Sequence, residues 1–174
     1  MRTVVLGGGE SGTGACLLAK KLGHEVFLSD KGSLSDKYRK VLTDNRIEFE
    51  EGGHGLDKIY NAGLVIKSPG IPDDNPVVKE LRRRGVEVIS EIEFAGRHSS
   101  AKMCCITGSN GKTTTTQMTG AILSSYAGEE AFCTRGNLNN NVGVPRMLLE
   151  LTEKTRIAVI EAGMNHAGEM AQLA

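Results

Sequence analysis

Short β-type runs alternate with helical patterns from one end of this chain to the other, and that alternation restricts the fold more than any other feature. Thr3–Leu6, Glu25–Ser29, Ile47–Glu50, Leu64–Lys67 and Val86–Ile89 have the length and apolar content of strands. Between them, Ser11–Leu22 carries Ala15, Leu18, Ala19 and Leu22 at helical spacing, Ser35–Asn45 starts on a serine placed to cap it, and Asn75–Gly85 closes on a glycine. Such alternation demands parallel strands joined by crossover helices, hence a doubly wound α/β sheet. A small, polar break at Gly96-Arg97-His98-Ser99-Ser100 precedes a second series. It runs through strand Met103–Ile106, helix Thr114–Ser124, strand Glu130–Cys133, helix Val144–Leu151 and strand Ile157–Glu161. Lys102–Ile106 reads as a buried strand in which Cys104 and Cys105 act as small hydrophobes. Met118, Ala121, Ile122 and Leu123 are available for the inner face of the helix after it.

Two glycine loops sit at strand-to-helix turns. Thr107-Gly108-Ser109-Asn110-Gly111-Lys112-Thr113-Thr114 follows the second series' first strand and opens a helix. At such a turn the free backbone N–H groups point at a polyphosphate, and the helix dipole favours negative charge. Lys112 neutralises β/γ-phosphate charge and the Thr113 hydroxyl can hold Mg²⁺. The general pattern has a glycine five residues before the Gly-Lys pair, where this chain has Ile106, so the loop is a shortened variant. The earlier loop, Gly7-Gly8-Gly9-Glu10-Ser11-Gly12, fits G-x-G-x-x-G, and Asp30 ends the next strand 18 positions beyond Gly12. On pattern alone that is a dinucleotide fingerprint, which keeps an NAD(P)-dependent oxidoreductase open as a rival reading. Lys67-Ser68-Pro69-Gly70-Ile71-Pro72 forms a rigid turn after a strand, at the sheet edge where open α/β proteins bind ligands. The expected fold is therefore α/β, with a Rossmann-like parallel-sheet domain over residues 1–97. Part of a P-loop NTPase-like central domain is expected over 98–174, reading as cut short because Gly168 to Ala174 look like a helix only begun.

Bulk properties exclude several classes. Basic and acidic residues balance at 21 each, so composition carries no nucleic-acid or membrane footprint. No apolar run approaches a membrane span, and the N-terminal apolar stretch is too short for a signal peptide. Cys16, Cys104, Cys105 and Cys133 lack metal-ligand spacing, so a reduced, cytoplasmic protein is expected. His24, His54 and His98 fall in turns or loops and read as solvated.

Taken together, the two loops, Lys67–Pro72 and Ser90-Glu91-Ile92-Glu93-Phe94-Ala95 resemble the Mur ligase family, the ATP-dependent amino-acid ligases of peptidoglycan precursor synthesis. From Thr3 to about Tyr126 the pattern is similar to the branch that adds D-glutamate to UDP-N-acetylmuramoyl-L-alanine. Gly136–Pro145 and Val159–Glu169 look like the branch that adds the dipeptide D-alanyl-D-alanine, so the chain reads as a hybrid joined between about Tyr126 and Thr134. The resemblance implies that ATP phosphorylates the substrate carboxylate and that the incoming amino group attacks the acyl phosphate. It implies a UDP-sugar site in the N-terminal domain, with Glu10, Ser11 and Gly12 in the substrate loop, Ser11 and Gly12 facing the diphosphate. Asp30 and Lys31 would lie on the uridine side, and Ser68, Pro69 and Gly70 at the uracil. It further implies Gly108, Ser109, Asn110, Gly111, Lys112, Thr113 and Thr114 as the ATP loop, and Lys112 and Glu161 as catalytic. Thr113 and Glu161 would be Mg²⁺ ligands and Asn137 a substrate contact, with Asn165 and His166 near the nucleotide or capping a helix. The expected partners are a UDP-N-acetylmuramoyl peptide and a D-amino acid or D-dipeptide, with no nucleic acid or membrane. Two other expectations are a dimer through an unfinished sheet edge and little or no ligase activity for the chain by itself. A non-catalytic UDP-sugar or nucleotide-binding module is the remaining alternative.

Overall fold

The structure, a computed structural model, describes residues 1–163. The expectations for Asn165, His166 and the helix begun at Gly168 lie outside these residues. The chain divides into two compact units, one spanning Met1–Phe94 and the other starting at Ala95.

The first unit is built on five parallel strands, β1 (Arg2–Leu6), β2 (Glu25–Ser29), β3 (Glu48–Glu50), β4 (Leu64–Lys67) and β5 (Glu87–Ser90), in the order β3-β2-β1-β4-β5. Their helices are α1 (Glu10–Lys21), α2 (Asp36–Asp44), α3 (Leu56–Ile59), α4 (Pro76–Arg83) and the start of α5 (Glu91–Arg97). Side chains alternate along each strand, so the sheet buries a core on both faces. Val5, Leu28, Ile66 and Ile89 pack with Ala15, Cys16 and Ala19 of α1 and Leu42 of α2. Val4, Leu6, Phe27 and Val65 pack on the other face with Ile59 of α3 and Leu81 of α4. Phe27 and Leu28, adjacent and both fully buried on opposite faces, each contribute about 1.5–3 kcal/mol by leaving water.

Register decides where function can sit. Leu6 pairs with both Ser29 and Lys67, and Lys67 pairs with Ser90. Four strands therefore end level, and Gly7, Asp30, Ser68 and Glu91 follow them at one sheet edge. The strand order reverses between β1 and β4, the place where open α/β sheets take ligands.

Within the first unit, two helices had no clear sequence signal: α3 is a single turn, and α5 follows β5 without an intervening loop. Ser35 occupies the N-cap of α2 but its side chain makes no capping bond, whereas Asn75 caps α4 by accepting from the Val77 N–H at 2.9 Å.

The second unit holds three parallel strands, β6 (Lys102–Ile106), β7 (Ala131–Cys133) and β8 (Ile157–Glu161), in the order β6-β8-β7. Helix α6 (Lys112–Ala127) and a 3-10 turn (Gly128–Glu130) lead into β7, and α7 (Gly143–Leu149) precedes β8. Two expectations are corrected here. Lys102–Ile106 is a strand, but Cys104 and Cys105 are exposed: β6, one of the sheet's two edge strands among the described residues, pairs only with β8 and lacks cover over these side chains. The inner face of α6 runs through Thr116, Gly120 and Leu123, not Met118 and Ile122, which are 63% and 66% exposed. Gly120 sets that face: a Cβ there would lie 2.6 Å from Cys133 Sγ, so the helix sits unusually close to β7. Among the described residues no helix is long and apolar enough to cross a membrane.

Candidate functional site

The first unit's edge gathers its loops around α1. Gly7 has φ +103°, and a Cβ there would stand 2.8 Å from Ser68 Cβ, so only glycine lets the β1 and β4 loops meet. Gly12 is constrained by space instead: its Cβ would fall 2.0 Å from the Gly7 carbonyl oxygen. The loop thus folds tightly onto the first turn of α1, whose N-cap Gly9 offers no side-chain cap. A helix leaves its first N–H groups without intrahelical partners, and those of Glu10, Ser11 and Gly12 are the ones available to an anion here. Ser11 itself is buried, with its hydroxyl near Glu91.

Asp30 anchors the neighbouring loops. Its Oδ2 accepts from the Gly8 N–H at 2.5 Å and its Oδ1 from the Gly32 N–H at 2.7 Å. Lys31 is exposed beside it, and Glu10 lies 3.9 Å from Lys37 Nζ. The Ser68–Ile71 turn closes through the Ile71 N–H donating to Ser68 O at 3.0 Å. Lys67 pins the turn, donating to Ile71 O at 3.0 Å and lying 3.5 Å from Asp73. Pro69 and Gly70 form its tip. Two histidines expected to be solvated have partners: His54 Nδ1 lies 2.7 Å from Ser29 Oγ, which also donates to Glu50, and His24 Nδ1 lies 2.9 Å from Thr3 Oγ1.

One residue of this edge escaped sequence reasoning. Glu91 is 1% exposed, and neither carboxylate oxygen has a hydrogen-bond partner. Burial pushes its carboxyl up to about 7, with the nearby Ser11 hydroxyl and then the Lys67 charge opposing the rise. An acid placed directly after a strand at the ligand-binding edge was the available signal.

In the second unit, Gly108 and Gly111 take φ +146° and +75°, which turns the loop so that α6 opens at Lys112. The Lys112 ammonium curls over the loop, donating to Gly108 O at 2.6 Å and Ser109 O at 3.5 Å. Asn110, Thr113 and Thr114 are exposed around it. Ile106 pairs with Glu161, so the acid at the end of β8 faces the start of the loop. Thr113 Oγ1 donates to Glu161 Oε1 at 3.1 Å, and Asn139 Nδ2 donates to the same oxygen at 2.7 Å. The Glu161 N–H donates to Thr134 Oγ1 at 2.9 Å, so the buried acid is fixed from three sides.

Sequence reading singled out Asn137, which is exposed in the turn; the asparagine on Glu161 is Asn139. Nothing in the spacing separated the two, because an irregular turn has no period from which to read direction. Among the described residues no group of three or more His, Cys, Asp or Glu stands together to hold a metal ion. A hydroxyl and one carboxylate on a phosphate loop still fit Mg²⁺, which takes oxygen donors and commonly arrives with phosphates and water in its shell.

Known proteins match both parts of the chain. Residues 2–77 match the family description of the MurD N-terminal domain, and residues 106–174 match that of the Mur ligase middle domain. The UDP-N-acetylmuramoylalanine–D-glutamate ligase of Bacteroides thetaiotaomicron is 57% identical over 117 residues, covering 67% of this chain and 26% of that protein. The enzyme of the same name from Bacteroides fragilis is 49% identical over 160 residues, covering 92% of this chain and 35% of that protein. The latter alignment runs past Tyr126, where the motif pattern changes. Among solved structures, a pseudomurein peptide ligase type C from Methanothermus fervidus is 26% identical with a TM-score of 0.54, covering 94% of this chain and 33% of that one. The chain spans about a third or less of the length of these relatives. With the MurD N-terminal and Mur ligase middle domain descriptions matched in order along it, the chain belongs to the Mur ligase family.

Proposed function

We propose that this chain supplies the UDP-sugar-binding domain, residues 1–97, and the opening part of the ATP-binding domain, residues 98–174, of a ligase adding D-glutamate to UDP-N-acetylmuramoyl-L-alanine. The observation that carries the ATP half is the convergence of Thr113 and Glu161 beside the phosphate loop. A hydroxyl and a buried carboxylate there are the protein's share of a magnesium–nucleotide shell. Lys112, whose ammonium rests on loop carbonyls, is free to exchange those for β/γ-phosphate oxygens and to stabilise charge on a transferred phosphoryl group. Bound Mg²⁺ would neutralise phosphate charge at that loop.

In the first unit the α1 N-terminus would hold the diphosphate, Asp30 and Lys31 the uridine side, and Ser68, Pro69 and Gly70 the uracil. Glu10 contributes through its backbone N–H, and Asn137 would reach substrate from its exposed turn. The close D-glutamate ligase relatives support this donor and acceptor pair over a D-dipeptide. A cytoplasmic setting follows from those substrates, and dimerisation through β6, the exposed edge, is part of the same reading.

Separate calorimetric titrations with UDP-N-acetylmuramoyl-L-alanine, Mg-ATP and NADH test it. Saturable binding of the first two, with no NADH heat, is expected, and phosphate release driven by substrate should be near background for this chain. Tight NADH binding with no response to the UDP-sugar overturns the reading.

A further inference from the structure

We propose that Glu91 is a positioning residue for the first glycine loop, whose carboxyl takes up a proton when a diphosphate occupies the N-terminus of α1. The proposal rests on the UDP-sugar reading of the first unit. Its ground is geometric. Glu91 follows β5 directly at the edge where Gly7, Asp30 and Ser68 emerge, and it is buried with both oxygens unpartnered. Its Oε1 lies 3.4 Å from the point where a Gly12 Cβ would stand, and the Gly7 carbonyl oxygen lies 2.0 Å from the same point. Both acceptor oxygens thus lie near Gly12, in the first turn of α1 whose N–H groups would face the anion. A carboxylate near that carbonyl adds negative charge beside the turn, whereas a protonated carboxyl is neutral and able to donate.

The groups facing Glu91 do not neutralise it. From α1 come the Ser11 hydroxyl and the Cys16 thiol, whose pKa is raised first by burial and then by the Glu91 charge. From β4 comes the Lys67 charge, but that ammonium is already committed to Ile71 O and Asp73. Burial holds the carboxyl up at about 7, against the Ser11 hydroxyl and the positive field of Lys67. A diphosphate on the other side of the same turn opposes that field with its own negative charge, in a region of low dielectric. The charged form of Glu91 is then disfavoured further, and the proton comes from solvent. By linkage, affinity for the diphosphate falls as pH rises above 7.

The experiment uses UDP-N-acetylmuramoyl-L-alanine, whose diphosphate diester and carboxylate stay ionised between pH 6.5 and 8.5. Calorimetric titration of the 174-residue chain at pH 7.5 in two buffers of different ionisation enthalpy reads proton uptake directly. At least about half a proton per ligand is expected, with wild-type affinity falling about tenfold from pH 6.5 to 8.5. E91Q, which keeps the shape and cannot titrate, should show buffer-independent heat and a flat pH profile. Saturable binding by wild type with the same heat in both buffers overturns the proposal alone, whatever the folding of the variant. Proton uptake by E91Q equal to that of wild type also overturns it, since the proton then goes elsewhere. Absence of any wild-type binding overturns the UDP-sugar reading and takes this proposal with it.

Discussion

Replacing Gly12 by alanine tests the tight closure of the first loop onto α1. The new methyl would lie 2.0 Å from Gly7 O and 3.0 Å from Gly7 C, both backbone atoms that cannot rotate away. Either the loop lifts or the helix start unwinds, and each loosens the contact with Ser68 and with Glu91. Overpacking of this kind costs typically 1–3 kcal/mol, and a rigid backbone obstacle places G12A near the upper end, about 3 kcal/mol. For a unit of this size, Met1–Phe94, each kcal/mol shifts the midpoint by roughly 4–8 °C, so a fall of roughly 12–24 °C in the first unit's melting is expected. G9A is the matched control. Gly9 has φ −70°, and no atom lies within 4 Å of the point where its new methyl would stand, so only the weaker N-cap preference is lost, below about 1 kcal/mol. Circular dichroism melts of wild type, G12A and G9A, with UDP-sugar affinity measured alongside, decide the matter. If G12A melts within 2–3 °C (roughly 0.5 kcal/mol) of G9A, the close approach is not what demands glycine at this position.

Three further outcomes are expected. The first unit should lose stability as pH rises from about 5 to 7, because folded Glu91 keeps its proton to about 7 while the unfolded carboxyl releases it near 4.5. That raised value means stability is fully present below the unfolded pKa and lost through the folded one, on the order of 3 kcal/mol in all. Urea unfolding across that range should show the slope in wild type and not in E91Q; Glu80, held down to about 2 by Arg83 and Arg84, acts only at lower pH. N139A removes the 2.7 Å donor from buried Glu161 and should destabilise the second unit by about 1–3 kcal/mol, and an unchanged urea midpoint would refute its anchoring role. K112A should leave stability within about 0.5 kcal/mol while weakening a fluorescent ATP analogue more than tenfold. Equal analogue affinity in the two proteins would remove Lys112 from the phosphate site.

Periodicity made the sheet framework legible: β2, β4 and β8 fall where apolar runs of strand length stand between turn residues. The glycine loops were legible because a tight turn and a nearby backbone leave glycine as the residue that fits. What failed depends on neighbours distant in sequence. Met118 and Ile122 look like an inner face by hydrophobicity, yet the approach of α6 to Cys133 at Gly120 turns them outward. Cys104 and Cys105 read as core, but burial of a strand requires elements on its faces and not only an apolar composition. Glu91 and Asn139 gained their roles through register and loop path, which place them beside Gly12 and Glu161 respectively.

The packing of Cys16 between α1 and the sheet gives the protein an internal clock for its own opening. Thiol chemistry proceeds through the thiolate, and Cys16 is fully buried with its ionisation strongly suppressed by burial and by Glu91. Cys104 and Cys105 stand exposed in the other unit. A short alkylation pulse therefore marks the second unit in the native protein, whereas Cys16 is marked only in molecules whose first unit has opened. Mass spectrometry of the two sets of peptides then times that opening at residue level, without an engineered probe and with each unit read on its own channel.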